Sequence, residues 1–190
     1  MASTISAGTS AGTAIAITGD TTGNLAFQTS AGTYTQTMPN ATGTVMVSGN
    51  MPAFSAYQST LQSLSNATLT KIQFQTKEFD TNNNFDSTTN YRFTSTVAGY
   101  YQISSTVNIT GVTGNNYVAT IYKNGSEFKR GNQSSVNLAN NTGVVVSALI
   151  YLNGSSDYVE IYGYQASTAS QNTANGLYYT YFQASMVRAA

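Results

Sequence analysis

The sequence predicts an all-β protein, and three observations carry this prediction. Apolar and polar residues alternate with a period of two in the last two-thirds of the chain, for example in 101–109. Asn124-Gly125 and Asn153-Gly154 separate such runs, and Asn-Gly is a strong hairpin signal. The one segment with a helical spacing, 57–70, is crowded with Ser, Thr and Asn, which favours an irregular segment or a single turn of helix.

Each predicted strand has its own local signal. Val97-Ala98-Gly99 marks the turn before the first long strand, and Asn124-Gly125 joins two strands as a hairpin. Val159 and Ile161 face away from a stripe of tyrosines in the same strand. The closing run is aromatic on both faces, so we expect it to be buried on both. In chain order, the predicted strands are 100–109, 117–123, 126–130, 144–152, 157–164 and 177–186.

The composition removes most of the side chains that enzymes use. Among 190 residues there is no histidine and no cysteine, and the charged residues are seven Lys+Arg and seven Asp+Glu. General acid–base, covalent and metal chemistry depend mainly on histidine, cysteine and clustered carboxylates. The chain keeps 14 tyrosines and 8 phenylalanines, which serve packing and interfaces. We therefore expect no enzyme and no cofactor.

The charge pattern excludes some partners and divides the chain. A formal net charge of zero argues against binding to nucleic acid or to a membrane surface, which both call for a basic face. Asp20 is the single charged residue in 1–70. We expect an arm of short strands in 1–50 for attachment and intertwining, in preference to a flexible tail, and a globular head in 51–190.

Several segments of the head, taken in order, resemble the C1q-like globular domains of the C1q/TNF jelly-roll superfamily. Pro52-Ala53-Phe54-Ser55-Ala56 is similar to the family's opening strand, and 91–101 is similar to its "F-T-x-x-V-x-G-x-Y" segment. Tyr122-Lys123-Asn124-Gly125 resembles the "K-N-G" hairpin, and 181–186 resembles the closing aromatic strand. The resemblance covers 52–188. It implies a ten-stranded, two-sheet antiparallel jelly-roll sandwich that forms a homotrimer, with the far face of one sheet against its neighbours.

A second resemblance concerns the arm. Residues 17–29 are similar to the glycine- and threonine-rich segments of bacteriophage fibre and virion-surface proteins. Together with the lack of a signal-peptide pattern, this implies a structural virion-surface protein made in the host cytoplasm. It would be a capsid decoration or a tail fibre tip that binds other virion proteins through 1–50 and a host polysaccharide through its head. The alternative is a bacterial secreted or cell-surface carbohydrate-binding module.

The predicted fold and function suggest candidate site residues. We expect a role in the core or at the trimer interface for Tyr101, Tyr122, Tyr178, Tyr181 and Phe182. Tyr162, Tyr164 and Tyr179 are candidates to stack on sugar rings if they are exposed. Ligand contact is expected in the loops 82–86, 113–116, 131–141 and 168–175. The candidate contacts are Asn82, Asn84, Asp86, Asn115, Asn116, Lys129 and Arg130.

The segment 80–86 has the D-x-N-x-N spacing of a calcium loop. Phe85 and Tyr91 stand where an EF-hand needs glycine and glutamate, so an EF-hand is excluded. A looser Ca²⁺ site remains an alternative, but we favour a loop held by side chain–backbone hydrogen bonds. A further alternative is a pair of catalytic carboxylates, as glycosidases use, drawn from Glu78, Asp80 and Asp86. The sequence shows no apolar pocket around them, which argues against this alternative.

Overall fold

The computed structural model describes residues 25–28, 35–38, 45–46, 48–110, 114–135 and 141–190, with backbone alone for 25–28, 35–38 and 114–115. The chain divides into two units, Met1–Thr44 and Val45–Ala190. In the first unit, β1 (Leu25–Gln28) pairs in antiparallel fashion with β2 (Thr35–Met38). The other expected strands of the arm lie outside the described residues, apart from 45–46, which are not in a strand.

The second unit is built from strands, as the alternation predicts. Its described residues contain a 3-10 turn at Ser48–Asn50 and no α-helix, which confirms the all-β class. In chain order, the strands are β3 (Ala53–Tyr57), β4 (Ser63–Leu64), β5 (Thr70–Lys71), β6 (Thr76–Asp80), β7 (Phe85–Asp86), β8 (Arg92–Thr94), β9 (Ala98–Ile109), β10 (Gly114–Lys123), β11 (Ser126–Ser134), β12 (Thr142–Asn153), β13 (Tyr158–Ser167), β14 (Gln171–Asn172) and β15 (Tyr181–Ala189).

Two antiparallel sheets form the sandwich. One has the strand order β12-β9-β15-β3-β6 and is called here the five-stranded sheet. The other has the order β11-β10-β13-β8-β7, with β5 also paired to β13, and is called here the six-stranded sheet. Neighbours within each sheet are often distant in sequence, as when β15 inserts between β9 and β3. The expected two-sheet antiparallel sandwich is confirmed, but in the described residues its sheets contain eleven strands and not the ten that the resemblance implies.

The core lies between the two sheets and is rich in aromatic rings. The alternating face of β9 is fully buried, from Tyr101 through Ile103 to Ile109. The ring of Phe54 stacks on Phe85 and Phe93 at centroid distances of 4.7 and 4.8 Å, and it meets Phe182 edge-on at 4.9 Å. Such ring pairs stabilise a core beyond their buried area. The core therefore ties β3, β7, β8 and β15 together.

Local turn chemistry explains the hairpin between β10 and β11. Asn124 and Gly125 have φ values of 52° and 78°, which are the two positive values that a type I′ turn requires. The Asn124 side chain also donates a hydrogen bond of 2.7 Å to Asp157. The dipeptide therefore fixes the hairpin that the sequence predicts.

Several predicted boundaries are wrong: residues 131–134, expected in a loop, extend β11, and two further cases show the cause. Residues 177–180 are not in the closing strand, because the N–H groups of Tyr179 and Thr180 bond the carbonyl of Gly176 and form a turn. Residues 114–116, expected in a loop, belong to β10, because β13 extends far enough for Ser167 to pair with Gly114. In both places long-range pairing or a local turn overrides the composition of the segment.

Candidate functional site

The five-stranded sheet has one face on the core and one face free in the single chain, which is called here the open face. Strand β12 alternates strictly, so Ile150 and Leu152 are buried while Leu149 and Tyr151 are exposed. Strands β9 and β12 contain no charged residue. The large apolar side chains exposed on the open face are Phe79, Tyr100, Val145, Leu149, Tyr151 and Val187.

The open face is apolar enough to be an interface. Leu149 is 55 % exposed and Val187 is 58 % exposed, and the rings of Tyr100 and Tyr151 are 5.5 Å apart. Exposed apolar side chains grouped in this way are typical of interaction surfaces. Hydroxyl and amide groups share the face, among them Gln102, which donates to the Ser147 hydroxyl over 2.8 Å.

The five aromatic residues proposed for the core or the trimer interface lie in different parts of the structure. Tyr101 and Phe182 are fully buried in the core. Tyr181 pairs with Tyr57 and Thr106 on the open face. Tyr122 lies on the six-stranded sheet, and Tyr178 is 80 % exposed in the turn before β15. Tyr178 is therefore not a core residue, which corrects its placement in the closing strand.

Burial of Tyr101 is matched by hydrogen bonds. Its hydroxyl donates to the carbonyl of Val97 at 2.7 Å and accepts from the hydroxyl of Ser95. Burial raises the pKa of Tyr101, and the bond from Ser95 partly offsets this effect. The residue is a neutral part of the packing rather than a reactive group.

The loop at 82–86 is organised by an ammonium group of the chain itself. Nζ of Lys77 lies 3.1 Å from Oδ2 of Asp80, 3.1 Å from Oδ1 of Asn83 and 3.4 Å from the carbonyl oxygen of Phe85. Asp80 also accepts the backbone N–H groups of Asn84 and Phe85. A cation of the chain thus already sits beside Asp80, the first residue of the suggested calcium loop, and beside two other oxygens of the same segment.

Asp86 holds the next turn. It accepts the backbone N–H groups of Thr88, Thr89 and Asn90 over 2.9–3.0 Å. The hydrogen bond from the N–H of Thr89 has the largest effect on the pKa of Asp86, and that from Thr88 the next largest. Together they hold this pKa well below its usual value of 3.8, while desolvation opposes the shift. Asp86 therefore stabilises the loop as a carboxylate.

Replacing Asp86 by asparagine is expected to lower the free energy of unfolding at pH 7 by about 1–3 kcal/mol. The asparagine would set an N–H₂ group against the N–H donors of Asn90. Because the folded pKa of Asp86 is depressed, its contribution is present above the unfolded pKa and is lost as pH falls through the folded pKa. Urea unfolding of both proteins at pH 7 and pH 3 measures this. A difference between the proteins that is undiminished at pH 3 would contradict it.

All six acidic residues of the described part of the chain have donor partners within it. Glu78 accepts from the hydroxyl of Ser55, and the other five accept from cationic side chains or backbone N–H groups. These five are Asp80, Asp86, Glu127, Asp157 and Glu160. In these residues no group of three or more His, Cys, Asp or Glu is close enough to hold a metal ion. Glu78, Asp80 and Asp86 thus already serve local structure.

The outward face of the six-stranded sheet carries tyrosines and ion pairs, and it is called here the tyrosine face. Tyr122 and Tyr162 stack at a centroid distance of 3.9 Å. Burial, as the largest effect, raises the pKa of both hydroxyls. Lys71 pairs with the buried Glu160 beside them at 2.5 Å. Tyr122 is absent from the core because it follows the core residue Ile121 on β10 and therefore faces outward.

The seven proposed ligand contacts fall into three places. Asn82, Asn84 and Asp86 lie in or beside the loop that Lys77 organises. Asn116 and Arg130, on β10 and β11, line one cavity on the tyrosine face. The ammonium of Lys129 is 5.5 Å from the centre of the Phe128 ring, at the hairpin. The side chain of Asn115 lies outside the described residues.

The sequence pattern indicated Tyr164 as a possible sugar contact, but it did not indicate the exposed residues of the open face or the cavity residues Leu69, Val118 and Thr120. A signal for the open face was present, since Val144-Val145-Val146 and Leu149-Ile150-Tyr151-Leu152 are apolar on both faces of β12. No local signal marks Thr120 or Leu69, which reach the same cavity from β10 and from the segment before β5.

Among the described residues, no helix has the length and apolar character needed to cross a membrane.

Comparison with known proteins identifies the fold. The structure of Eiger TNF from S. frugiperda is similar with a TM-score of 0.59 and 8 % identity, covering 74 % of this chain and 95 % of that one. The globular domain of zebrafish complement 1qA has a TM-score of 0.55 and 16 % identity, over 73 % and 99 %. The vertex protein P5 of phage PRD1 has a TM-score of 0.53 and 20 % identity, over 72 % and 97 %. No family model and no curated protein sequence matches the chain.

Proposed function

Because the chain has a C1q/TNF-like jelly-roll fold, we propose that it is a homotrimeric structural protein of a phage virion surface. The observation that carries the proposal is the open face of the five-stranded sheet. It presents Leu149, Tyr151 and Val187 to solvent in the single chain, and its two longest strands have no charge. Burying this face between three copies removes apolar area from water.

Two further observations support the virion role. The vertex protein P5 of phage PRD1 shares the fold, so the fold is compatible with a place on a virion. The arm carries the glycine- and threonine-rich pattern, and within its described residues β1 and β2 pair in antiparallel fashion. In this proposal the arm attaches to other virion proteins, and the head projects as a capsid decoration or a tail fibre tip.

The head is proposed to recognise a host surface glycan and to carry out no catalysis and bind no metal. Lys77 supplies a positive charge among the oxygens of the 82–86 loop, which makes Ca²⁺ unnecessary there. The carboxylates of Asp80 and Asp86 are engaged by donors of their own loops. The charge-balanced tyrosine face is instead suited to hydroxyl-rich ligands.

Virion attachment tests the proposal. Tagged full-length protein and a variant lacking residues 1–50 are each mixed with virions that lack the native protein, and sedimentation with the particles is measured. We expect the full chain to sediment with the virions and the shortened chain to remain soluble and folded. Failure of the full chain to bind, or equal binding by the shortened chain, would contradict the role of the arm.

A further inference from the structure

The tyrosine face contains a small, partly enclosed cavity. Its volume is about 210 Å³, and it lies beside the Tyr122–Tyr162 stack, between β10, β11, β13 and the segment before β5. This is below the roughly 300–1,000 Å³ of pockets that hold drug-sized ligands. The size suits one sugar ring. The lining residues are Leu69, Asn116, Val118, Thr120, Arg130 and Tyr164.

Two of the residues that line this cavity each have a buried polar atom without a partner in the protein. Thr120 is fully buried, and its hydroxyl makes no hydrogen bond. Oδ1 of Asn116 is also buried without a donor. A buried polar group without a partner destabilises a fold, so such groups are rare and call for an explanation. A ligand with hydroxyl groups would satisfy both atoms, because a hydroxyl donates and accepts.

The charges around the cavity are balanced. Arg130 forms a two-point ion pair with Glu127, at 2.7 Å from Nε to Oε1 and 3.0 Å from Nη2 to Oε2. Lys71 also forms an ion pair with Glu160, through a single contact. No unpaired cation among the lining residues is left to attract a carboxylate or a phosphate. The ligand that this balance favours is neutral.

The remaining walls are apolar or aromatic. Leu69 and Val118 contribute aliphatic surface, and Tyr164 contributes an aromatic ring. A pyranose has an apolar face of C–H groups and a rim of hydroxyls, which matches a cavity with both kinds of wall. From these observations we propose that the cavity binds one neutral sugar ring of a glycan. The proposal rests on the virion-surface function proposed above, which supplies the glycan.

The proposal assigns a contact to each side of the sugar. The hydroxyl of Thr120 and Oδ1 of Asn116 bond sugar hydroxyls, and the nitrogen of Arg130 that Glu127 leaves free donates a further bond. Tyr164 covers the C–H face. The competing occupant is water, which would satisfy the same two atoms without selecting any sugar.

The full-length protein is tested by saturation-transfer NMR with glucose, galactose, mannose, N-acetylglucosamine, N-acetylgalactosamine, rhamnose and fucose, and with glucuronic acid as an anionic comparison. The test variant is Thr120→Val, which removes the hydroxyl and keeps the shape. The matched control is Thr142→Val, because Thr142 also has a buried hydroxyl without a partner but does not line the cavity. Thermal unfolding shows that both variants fold.

We expect at least one neutral sugar to bind in preference to glucuronic acid. Thr120→Val should weaken that binding about three- to tenfold, which corresponds to one hydrogen bond, and Thr142→Val should leave it unchanged. Binding of no neutral sugar, preference for the acid, or equal effects of the two variants would overturn the proposal. The mass of the particle, measured on the same samples, separates this failure from a failure of the trimer proposal.

Discussion

Replacing Leu149 by aspartate is expected to convert the protein from a trimer into monomers. Leu149 lies on β12 at the open face and is 55 % exposed in the single chain. In the proposed trimer an aspartate there would be buried without a partner, and desolvating an unpaired carboxylate is costly. Light scattering on the wild type should give three times the chain mass of 20.1 kDa, and on the variant a single chain mass.

Leu61 provides the control for this experiment. It has nearly the same exposure, 54 %, but it lies in the segment between β3 and β4, outside the five-stranded sheet. Leu61→Asp should therefore remain a trimer, and circular dichroism should show that both variants keep their strands. A wild type that sediments as one chain, or a trimeric Leu149→Asp variant, would refute assembly through the open face.

Replacing Phe182 by alanine is expected to lower the free energy of unfolding by about 3–5 kcal/mol. The ring is fully buried and contacts Phe54, Phe74 and Phe85 at centroid distances of 4.9, 5.5 and 5.7 Å. Its removal leaves a cavity between strands of both sheets that the surrounding rings cannot fill. Denaturant unfolding at one fixed protein concentration measures the loss, because assembly makes stability depend on concentration.

Phe128 is the matched control for this substitution. It is 46 % exposed on β11, and Phe128→Ala should change the free energy of unfolding by no more than about 0.5 kcal/mol. Equal losses for the two variants would show that the aromatic cluster does not form the core.

The sequence could predict the fold because its signals are local. Alternation in 101–109 gives the buried face of β9, and Asn124-Gly125 gives the hairpin. The closing strand was predicted four residues too early, since the tyrosines at 178 and 179 have strand propensity although the turn at Gly176 holds them. For the candidate site, the sequence suggests Asn116 and Arg130 as candidate ligand contacts, but nothing local indicates that they line the same cavity.

By itself the sequence determined that this chain is a β-sandwich with a neutral surface and few of the side chains that catalysis uses. Those properties follow from the residue types and from the alternation of apolar and polar residues with a period of two. Both are local properties of the sequence and do not depend on what the folded chain contacts. Only the tertiary structure decided that Tyr101 is buried, that Leu149 is left uncovered and that the Thr120 hydroxyl is buried without a partner. The physical reason is that alternation tells which side chains share a face, whereas the pairing of distant strands decides what that face meets.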